Sequence, residues 1–496
     1  METTKMKMKN KSRLIAFTAF AILFAFGLPG NSASADVIRY QLPGSNLTIT
    51  LQGKVKFVTG STATYRHPKF GAIHLDTRSL DIHKVQTVER RFIRRLRAAA
   101  EIDTEEVFEV ADWCLLQGYM DGFNKCIDKC LEMDPDNKRA RTIRKLQARM
   151  EKSLPESPKV EAYMRRHVTK KGMKILKSKH YVLLHDTPDV ERGKSRAEER
   201  LELLERVYDS FMLKFFSQGV KLKIPKYRMM VVLFKDRDDF LAYSKKLGPD
   251  NESLAGFWHT QTNLAVFFDQ AESSRFKEVR DLERRMASQR EDAIRNRKRI
   301  SNVNQIVRIA DALDLILKMA REDADIEVVS HEATHQLAGN TGLFPRHVRV
   351  PSWIHEGLAT YFESPEDASW GGVGAVNSDR LRKYRVLASD TEHSNVKFIV
   401  GDQIFRYAGD LNQTLHGYAQ AWALTHFLVE RHFDEYMAFC QRLGEMPPDI
   451  ILSPDVLTSI FEEVCESELD SLNSEWHRYM KSLKTDIDKI LDDEEI

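Results

Sequence analysis

The chain has 496 residues, of which 42% are hydrophobic and 30% charged, with 23 glycines and 15 prolines; this composition excludes disordered, collagenous and multispanning proteins. At about 150 residues per domain the length predicts two to four domains, each large enough to bury a core. A formal charge of +2, from 75 basic and 73 acidic side chains, argues against a chain organised around nucleic acid.

Residues 1–35 read as a secretory signal peptide. Lys5, Lys7, Lys9, Lys11 and Arg13 form a basic start, Leu14 to Leu28 is an uncharged apolar run, and Ala33-Ser34-Ala35 offers a small-residue cleavage site. The apolar run falls short of the roughly 20 residues that span a bilayer. Cleavage near Ala35 is therefore expected in preference to retention as an anchor, giving an exported protein with no stable membrane span. Removal leaves 70 basic against 72 acidic residues, so the slight basicity belongs to the leader. The cysteines, Cys114, Cys126, Cys130, Cys440 and Cys465, are too few and too scattered for a disulfide framework. Cys126 and Cys130 stand four apart on a predicted helix, but no nearby side chain completes a metal set, and buried free thiols are the simpler reading.

From 36 to 88, short alternating runs such as Val37-Ile38-Arg39-Tyr40 and Leu47-Thr48-Ile49-Thr50-Leu51 are punctuated by Gly44, Gly53, Gly60 and Gly71, predicting a small antiparallel β module. From 89 to 165 the period becomes helical. Phe108, Ala111 and Leu115, then Phe123, Ile127 and Cys130, mark the apolar faces of two helices closed near Pro135, which look like one tetratricopeptide unit. Residues 171–270 read as α/β. Tyr181–His185, Tyr227–Phe234 and Leu264–Phe268 are strand candidates, and Leu201, Leu204, Tyr208, Phe211 and Phe215 line a helix. The strand 264–268 is either a core strand or a sheet edge open to an extended ligand. Residues 271–322 form a charged helical insert whose interleaved signs, without stacking aromatics, predict a solvated face and no nucleic acid. Residues 323–496 read as mostly helical.

This last region carries the chemistry, beginning with His331-Glu332-Ala333-Thr334-His335. On a helix, read as opened by an acidic cap near Asp325 and ended by Gly339, positions i and i+4 share a face, so both imidazoles can reach one metal ion. Glu332 lies beside them. A His-Glu-x-x-His string arises by chance about 0.04 times in a chain of this length and composition, so a structural metal or a plain polar helix competes until a third ligand is found. Pro351 to Glu363 predicts a second helix, capped by Ser352 and presenting Glu356, with twenty residues between it and His335. Two His and one Glu form a catalytic zinc set with the fourth position left for water. A metzincin pattern fails, because Ala338 and Thr341 occupy its Gly and third-His positions. His347 and His355 are rival ligands.

The pairing of His331-Glu332-x-x-His335 with Trp353-x-x-Glu356-Gly357-x-Ala359-x-Tyr361-x-Glu363 resembles the gluzincin zinc metallopeptidases, closest to their aminopeptidase-like branch. In wording it is similar to a family of uncharacterised exported bacterial proteins, grouped as a domain of unknown function with a peptidase-like core, over about residues 178–435. The resemblance implies an α+β fold with a gluzincin-like core (a small sheet plus active-site helices and a helical C-terminal part), a Zn2+ cofactor held by His331, His335 and Glu356, and Glu332 as general base. It also implies Tyr418 as donor to the oxyanion, with His416 as runner-up. Two departures stand out. The Gly-x-Met-Glu-Asn segment by which aminopeptidases grip a free N-terminus is absent. Thr360 stands where thermolysin-like enzymes carry the Asp that orients a ligand His, so support for His331 must come from Glu363 or a backbone carbonyl.

The resulting expectation is an exported zinc metallopeptidase acting on peptides or proteins, with the β module and helical pair as accessories that can also meet a protein partner. Its rivals are a zinc-binding scaffold without turnover, working through the N-terminal modules, and hydrolysis of another carbonyl substrate such as a cell-wall peptide cross-link.

Overall fold

The computed structural model describes residues 35–489 apart from 42–47, 60, 248–253, 274–275, 299–301, 364, 367–368, 407–410 and 486–487. The expected leader thus lies outside the described residues, save Ala35, which opens the first strand. Among the described residues no helix is long and apolar enough to cross a membrane. The architecture is mixed α and β, mainly helical, with two five-stranded sheets.

The first sheet comprises β1 (Ala35–Gln41), β2 (Thr48–Thr59), β3 (Thr62–His67), β4 (Gly71–Asp76) and β5 (Leu80–Val85) in the order β4-β3-β2-β1-β5. Successive strands β1 to β4 pair antiparallel, as short connections require, and β5 returns to pair antiparallel with β1. Helices α1 (Val88–Ala100), α2 (Thr104–Leu116), α3 (Met120–Met133), α4 (Lys138–Met150) and α5 (Val160–His167) follow. The two helices read from the sequence are α2 and α3, whose buried faces carry Phe108, Ala111 and Leu115 against Phe123, Ile127 and Cys130. Asp103 caps α2 by accepting from the Glu106 N–H at 3.0 Å, and Asn137 caps α4 by accepting from Ala140 at 2.9 Å. All five cysteines are free thiols.

The second sheet is built from β6 (Lys174–Lys177), β7 (Tyr181–His185), β8 (Met229–Phe234), β9 (Gly256–His259) and β10 (Leu264–Phe268), with α6 (Arg196–Ser217) and α7 (Arg237–Leu247) between strands. Its order is β6-β7-β8-β10-β9. The three inner strands run parallel and the two outer ones antiparallel to them. Continuous apolar runs such as Leu264-Ala265-Val266-Phe267-Phe268 suit strands covered on both faces. Leu183, Val231 and Phe267 point to the core shared with α6, while Leu184, Val232 and Phe268 meet Met164, Phe240 and Tyr243 of α5 and α7. Leu264–Phe268 is therefore an inner strand, and the edge beside it is β9.

The remainder comprises α8 (Lys277–Arg295), α9 (Val303–Thr341), α10 (Ser352–Phe362), a short hairpin of β11 (Pro365–Glu366) and β12 (Ser369–Trp370), then α11 (Ser378–Leu387), α12 (Val396–Val400), α13 (Leu411–Arg431), α14 (Phe433–Gly444), α15 (Pro454–Cys465) and α16 (Leu469–Ser482). The 39-residue α9 runs straight through the boundary read at residue 322. Its first half packs Ala312, Leu315 and Met319 against Val37, Tyr40, Leu51 and Tyr65 of the first sheet. Its second half crosses the second sheet and enters the main core. Ion pairs of α8 with α9, Arg321 to Glu283 and Arg290 to Asp311, follow antiparallel spacing.

At the midpoint of α9 a buried charge cluster joins these units. Arg200 of α6 forks onto Glu322 at 2.7 and 3.0 Å and reaches Asp325 at 3.0 Å. Lys69, from the β3–β4 connection, meets Glu322 at 2.8 Å. Asp325 accepts the Gln270 N–H at 2.9 Å, and the Gln270 side chain donates to Ala255 and Phe268 carbonyls beside β9 and β10. Cutting one partner from such a cluster leaves charges buried without compensation, which costs about 3–5 kcal/mol. Arg200→Met is expected to lower unfolding free energy by about that amount in chemical denaturation; a loss below about 1 kcal/mol would show the cluster to be solvated.

Helices α10 and α13 approach so closely that a Cβ on Gly357 would lie 2.1 Å from Thr425 Oγ1 and 2.8 Å from the Ala421 carbonyl. Gly357→Ala is expected to cost about 1–3 kcal/mol by overpacking. Thermal melts should show part of that loss recovered in the double variant with Thr425→Ala, because one of the two clashes is removed.

Candidate metal centre

The motif helix is buried on every side from Val329 to Ala338. Its hydroxyls are satisfied within the helix, Ser330 donating to the Ile326 carbonyl at 2.7 Å and Thr334 to that of Ser330 at 2.8 Å. Gln336 donates to the Met230 and Asn263 carbonyls, both at 2.9 Å, tying the helix to the second sheet. The helix does not start at Asp325 or stop at Gly339: it begins at Val303 and ends on Gly342, whose φ of +83° makes the left-handed C-terminal turn. Gly339 is interior because the Trp258 indole occupies its side-chain space, 2.3 Å from where a Cβ would sit. Helix α10 begins at Ser352 without a side-chain cap of its own. Its first free donors are met from a distance, the Trp353 N–H bonding Asp402 Oδ1 at 3.0 Å.

These two helices bring His331, His335 and Glu356 together. The two Nε2 atoms are 3.0 Å apart, and Glu356 Oε2 lies 3.0 Å from that of His331 and 3.5 Å from that of His335. His331 Nδ1 bonds Glu363 Oε1 at 2.5 Å. A carboxylate only accepts, so Nδ1 carries a proton, and Nε2 is the ring atom turned to the other two ligand atoms. A proton on one nitrogen can bridge a single pair of these atoms; a divalent cation satisfies all three. Ligands about 2.0–2.1 Å from a tetrahedral zinc lie about 3.3 Å from one another, which matches the observed triangle. The donor set therefore fits zinc.

Without a metal ion the two histidines differ in charge. Burial, then the neighbouring His355, holds His335 down at about 3, so it is a neutral donor. For His331 burial is outweighed by the Glu363 carboxylate and by bonds to Glu356 and Glu363, which raise it well above the usual histidine range. Burial also pushes Glu332 up to about 7, the His331 charge opposing and the Glu356 and Glu363 carboxylates adding to the rise. The Trp258 backbone N–H donates to this carboxylate. Gly256 permits that close approach, since a Cβ there would come 2.7 Å from Val328 and 3.0 Å from Glu332 Cγ. The edge strand β9 thus lies directly on the motif helix beside Glu332.

Tyr418, on α13, brings its ring 6.1 Å from that of His331, nearly edge-on. The Glu356 charge and then burial raise its phenol well above the usual range, keeping it a protonated donor. The runner-up, His416, holds its Nδ1 buried without a partner among the described residues. Neither rival ligand joins the converging group. His355 instead stacks flat on His335, with centroids 3.8 Å apart, and Trp258 lies beyond it at 6.4 Å. A second acidic group, Asp186, Asp236 and Asp239, surrounds the Lys170 ammonium, which already supplies the cation.

Sequence reasoning left open the support of His331, and Glu363 provides it. Seven residues after Glu356, it lies two turns along the same face, a spacing that marks it in retrospect. Arg380, which bonds Glu363 Oε2 at 2.7 Å, carries no comparable signal, being on a separate helix. Residues 325–449, which include all of these groups from His331 to Tyr418, match the model of a family described as a protein of unknown function (DUF1570). No curated protein and no solved structure matches the chain.

Proposed function

We propose that the protein is an exported zinc-dependent metallopeptidase of gluzincin type. The observation that carries this reading is the convergence of His331 Nε2, His335 Nε2 and Glu356 Oε2, with the Glu332 carboxylate on the adjoining helical position. A purely structural zinc site has no use for Glu332. In this reading the second sheet with α9 and α10 forms the gluzincin-like core, and the first sheet and the tetratricopeptide-like α2/α3 pair are accessories.

A zinc ion bound there would act as a Lewis acid, lowering the pKa of water towards neutrality and polarising a substrate carbonyl. Glu332, held by the Trp258 N–H, takes the proton from the attacking water and returns it to the departing amine. Tyr418 donates to the oxyanion that develops at the carbonyl. The edge of β9 offers backbone groups along which an extended peptide can pair, placing its scissile bond beside Glu332.

The test is to measure bound zinc by elemental analysis and profile cleavage of a mixed peptide library. About one zinc per chain and cleavage are expected for the wild type, with Glu332→Gln retaining zinc and losing about 10²–10⁴-fold in kcat. Zinc binding with no cleavage by either protein would favour the non-catalytic scaffold; absence of zinc from both wild type and Glu356→Ala would remove the site.

A separate variant addresses the oxyanion. Tyr418→Phe is expected to lower kcat by about 10²–10³-fold with little change in KM. Unchanged kcat would assign that role to another donor.

A further inference from the structure

Arg380, only 6% exposed, has one nitrogen between two carboxylates. Its Nη2 lies 2.7 Å from Glu363 Oε2 and 3.2 Å from Glu327 Oε1, while the guanidinium carbon sits 5.5 Å from the centre of the Tyr418 ring. Its groups come from four helices: Glu327 and His331 from α9, Glu363 at the end of α10, Arg380 itself on α11, and Tyr418 on α13. The position of Arg380 is set by its own helix cap. Asn377 Oδ1 accepts from the Asp379 and Arg380 N–H groups, both at 3.1 Å, while Asn377 Nδ2 donates to the Glu363 carbonyl at 3.3 Å. One side chain thus starts α11 and ties it to the residue that Arg380 clamps.

We propose that Arg380 is a positioning residue that couples metal binding to the oxyanion donor: it fixes Glu363, and through it the His331 ring, while its guanidinium group, over the Tyr418 ring, seats that side chain. Glu363 is 3% exposed; without Arg380 its charge has no Arg or Lys partner among the described residues, and the carboxylate cannot hold its present place against His331 Nδ1 without cost. Supporting carboxylates of this kind orient a ligand imidazole, and disturbing them typically weakens metal binding about 10–100-fold. A guanidinium within about 6 Å of an aromatic ring centre is held there by the ring quadrupole. The Tyr418 half of the proposal rests on the metallopeptidase reading; the His331 half requires only that the three ligand atoms hold a cation.

The sign of the effect separates orientation from simple electrostatics. Removing a positive charge near a cation site should strengthen cation binding if charge alone mattered. The experiment measures zinc affinity of the full chain by competition with a chromogenic chelator, for wild type, Arg380→Lys and Arg380→Met, with folding checked by circular dichroism. Weakening of about 10–100-fold is expected for folded Arg380→Met, with Arg380→Lys, which keeps a cation between the two carboxylates, closer to wild type. The visible absorption of the Co2+-loaded proteins should shift in the same order. At saturating zinc, Arg380→Met should lower kcat, and combining it with Tyr418→Phe should cost less than the sum of the two single losses. Zinc bound by folded Arg380→Met as tightly as by wild type, or more tightly, would overturn the proposal; if Arg380→Met does not fold, wild-type affinity and spectrum in Glu363→Gln would overturn it. Tight zinc binding without cleavage by wild type would sink the peptidase reading, with the affinities still deciding the His331 half. No zinc on wild type would overturn both.

Discussion

Three potential ligand atoms, His331 Nε2, His335 Nε2 and Glu356 Oε2, are held within 3.5 Å of one another in a largely buried site. One proton can bridge only a single pair of them, so the surrounding fold must keep the third in place. Both histidines belong to a helix anchored to the second sheet through Gln336 and overlaid by Trp258. Glu356 sits on a helix pressed against α13 at Gly357, where no side chain fits, and started by Asp402. Glu363 and Arg380 fix the far side of His331. The rigidity of these contacts is what a preorganised metal site needs, since ligand atoms that had to be gathered on binding would cost conformational entropy.

The length of α9 gives the site a mechanical relation to the rest of the molecule. One helix carries the first sheet at its N-terminal half and the motif at its C-terminal half, with the Glu322 cluster between them. Because that cluster also reaches Gln270, and through it the residues flanking β9 and β10, the same buried charges that dock the first sheet also steady the edge strand beside Glu332. The first sheet is therefore packed into the structure that positions the motif, rather than tethered to it by a linker.

Much of this was legible in the sequence where local periodicity governs. The strands at Tyr181–His185 and Leu264–Phe268, the α6 stripe and the alternation of residues 36–88 follow directly from side-chain period, and the i, i+4 spacing places both imidazoles on one face. Boundaries set by distant contacts were not legible. Asp325 looks like a helix cap because acidic residues favour that place, yet here it is a buried partner of Arg200 in mid-helix. Gly339 looks like a terminator, yet it is a gap filled by Trp258. Ser352 looks like a cap, yet Asp402 serves. The edge of the second sheet was equally hidden: β9 is four residues long and its place depends on which strand pairs with which. Arg380 and the His355 stack on His335 are tertiary facts with no spacing to announce them.

Whether the triangle of His331, His335 and Glu356 is a zinc site is decided most directly by anomalous diffraction at the zinc absorption edge, from crystals of the chain grown with stoichiometric zinc. A single strong peak about 2.0–2.2 Å from the two Nε2 atoms and the Glu356 carboxylate is expected. A peak elsewhere, or none there while the three side chains keep their mutual contacts, would contradict it.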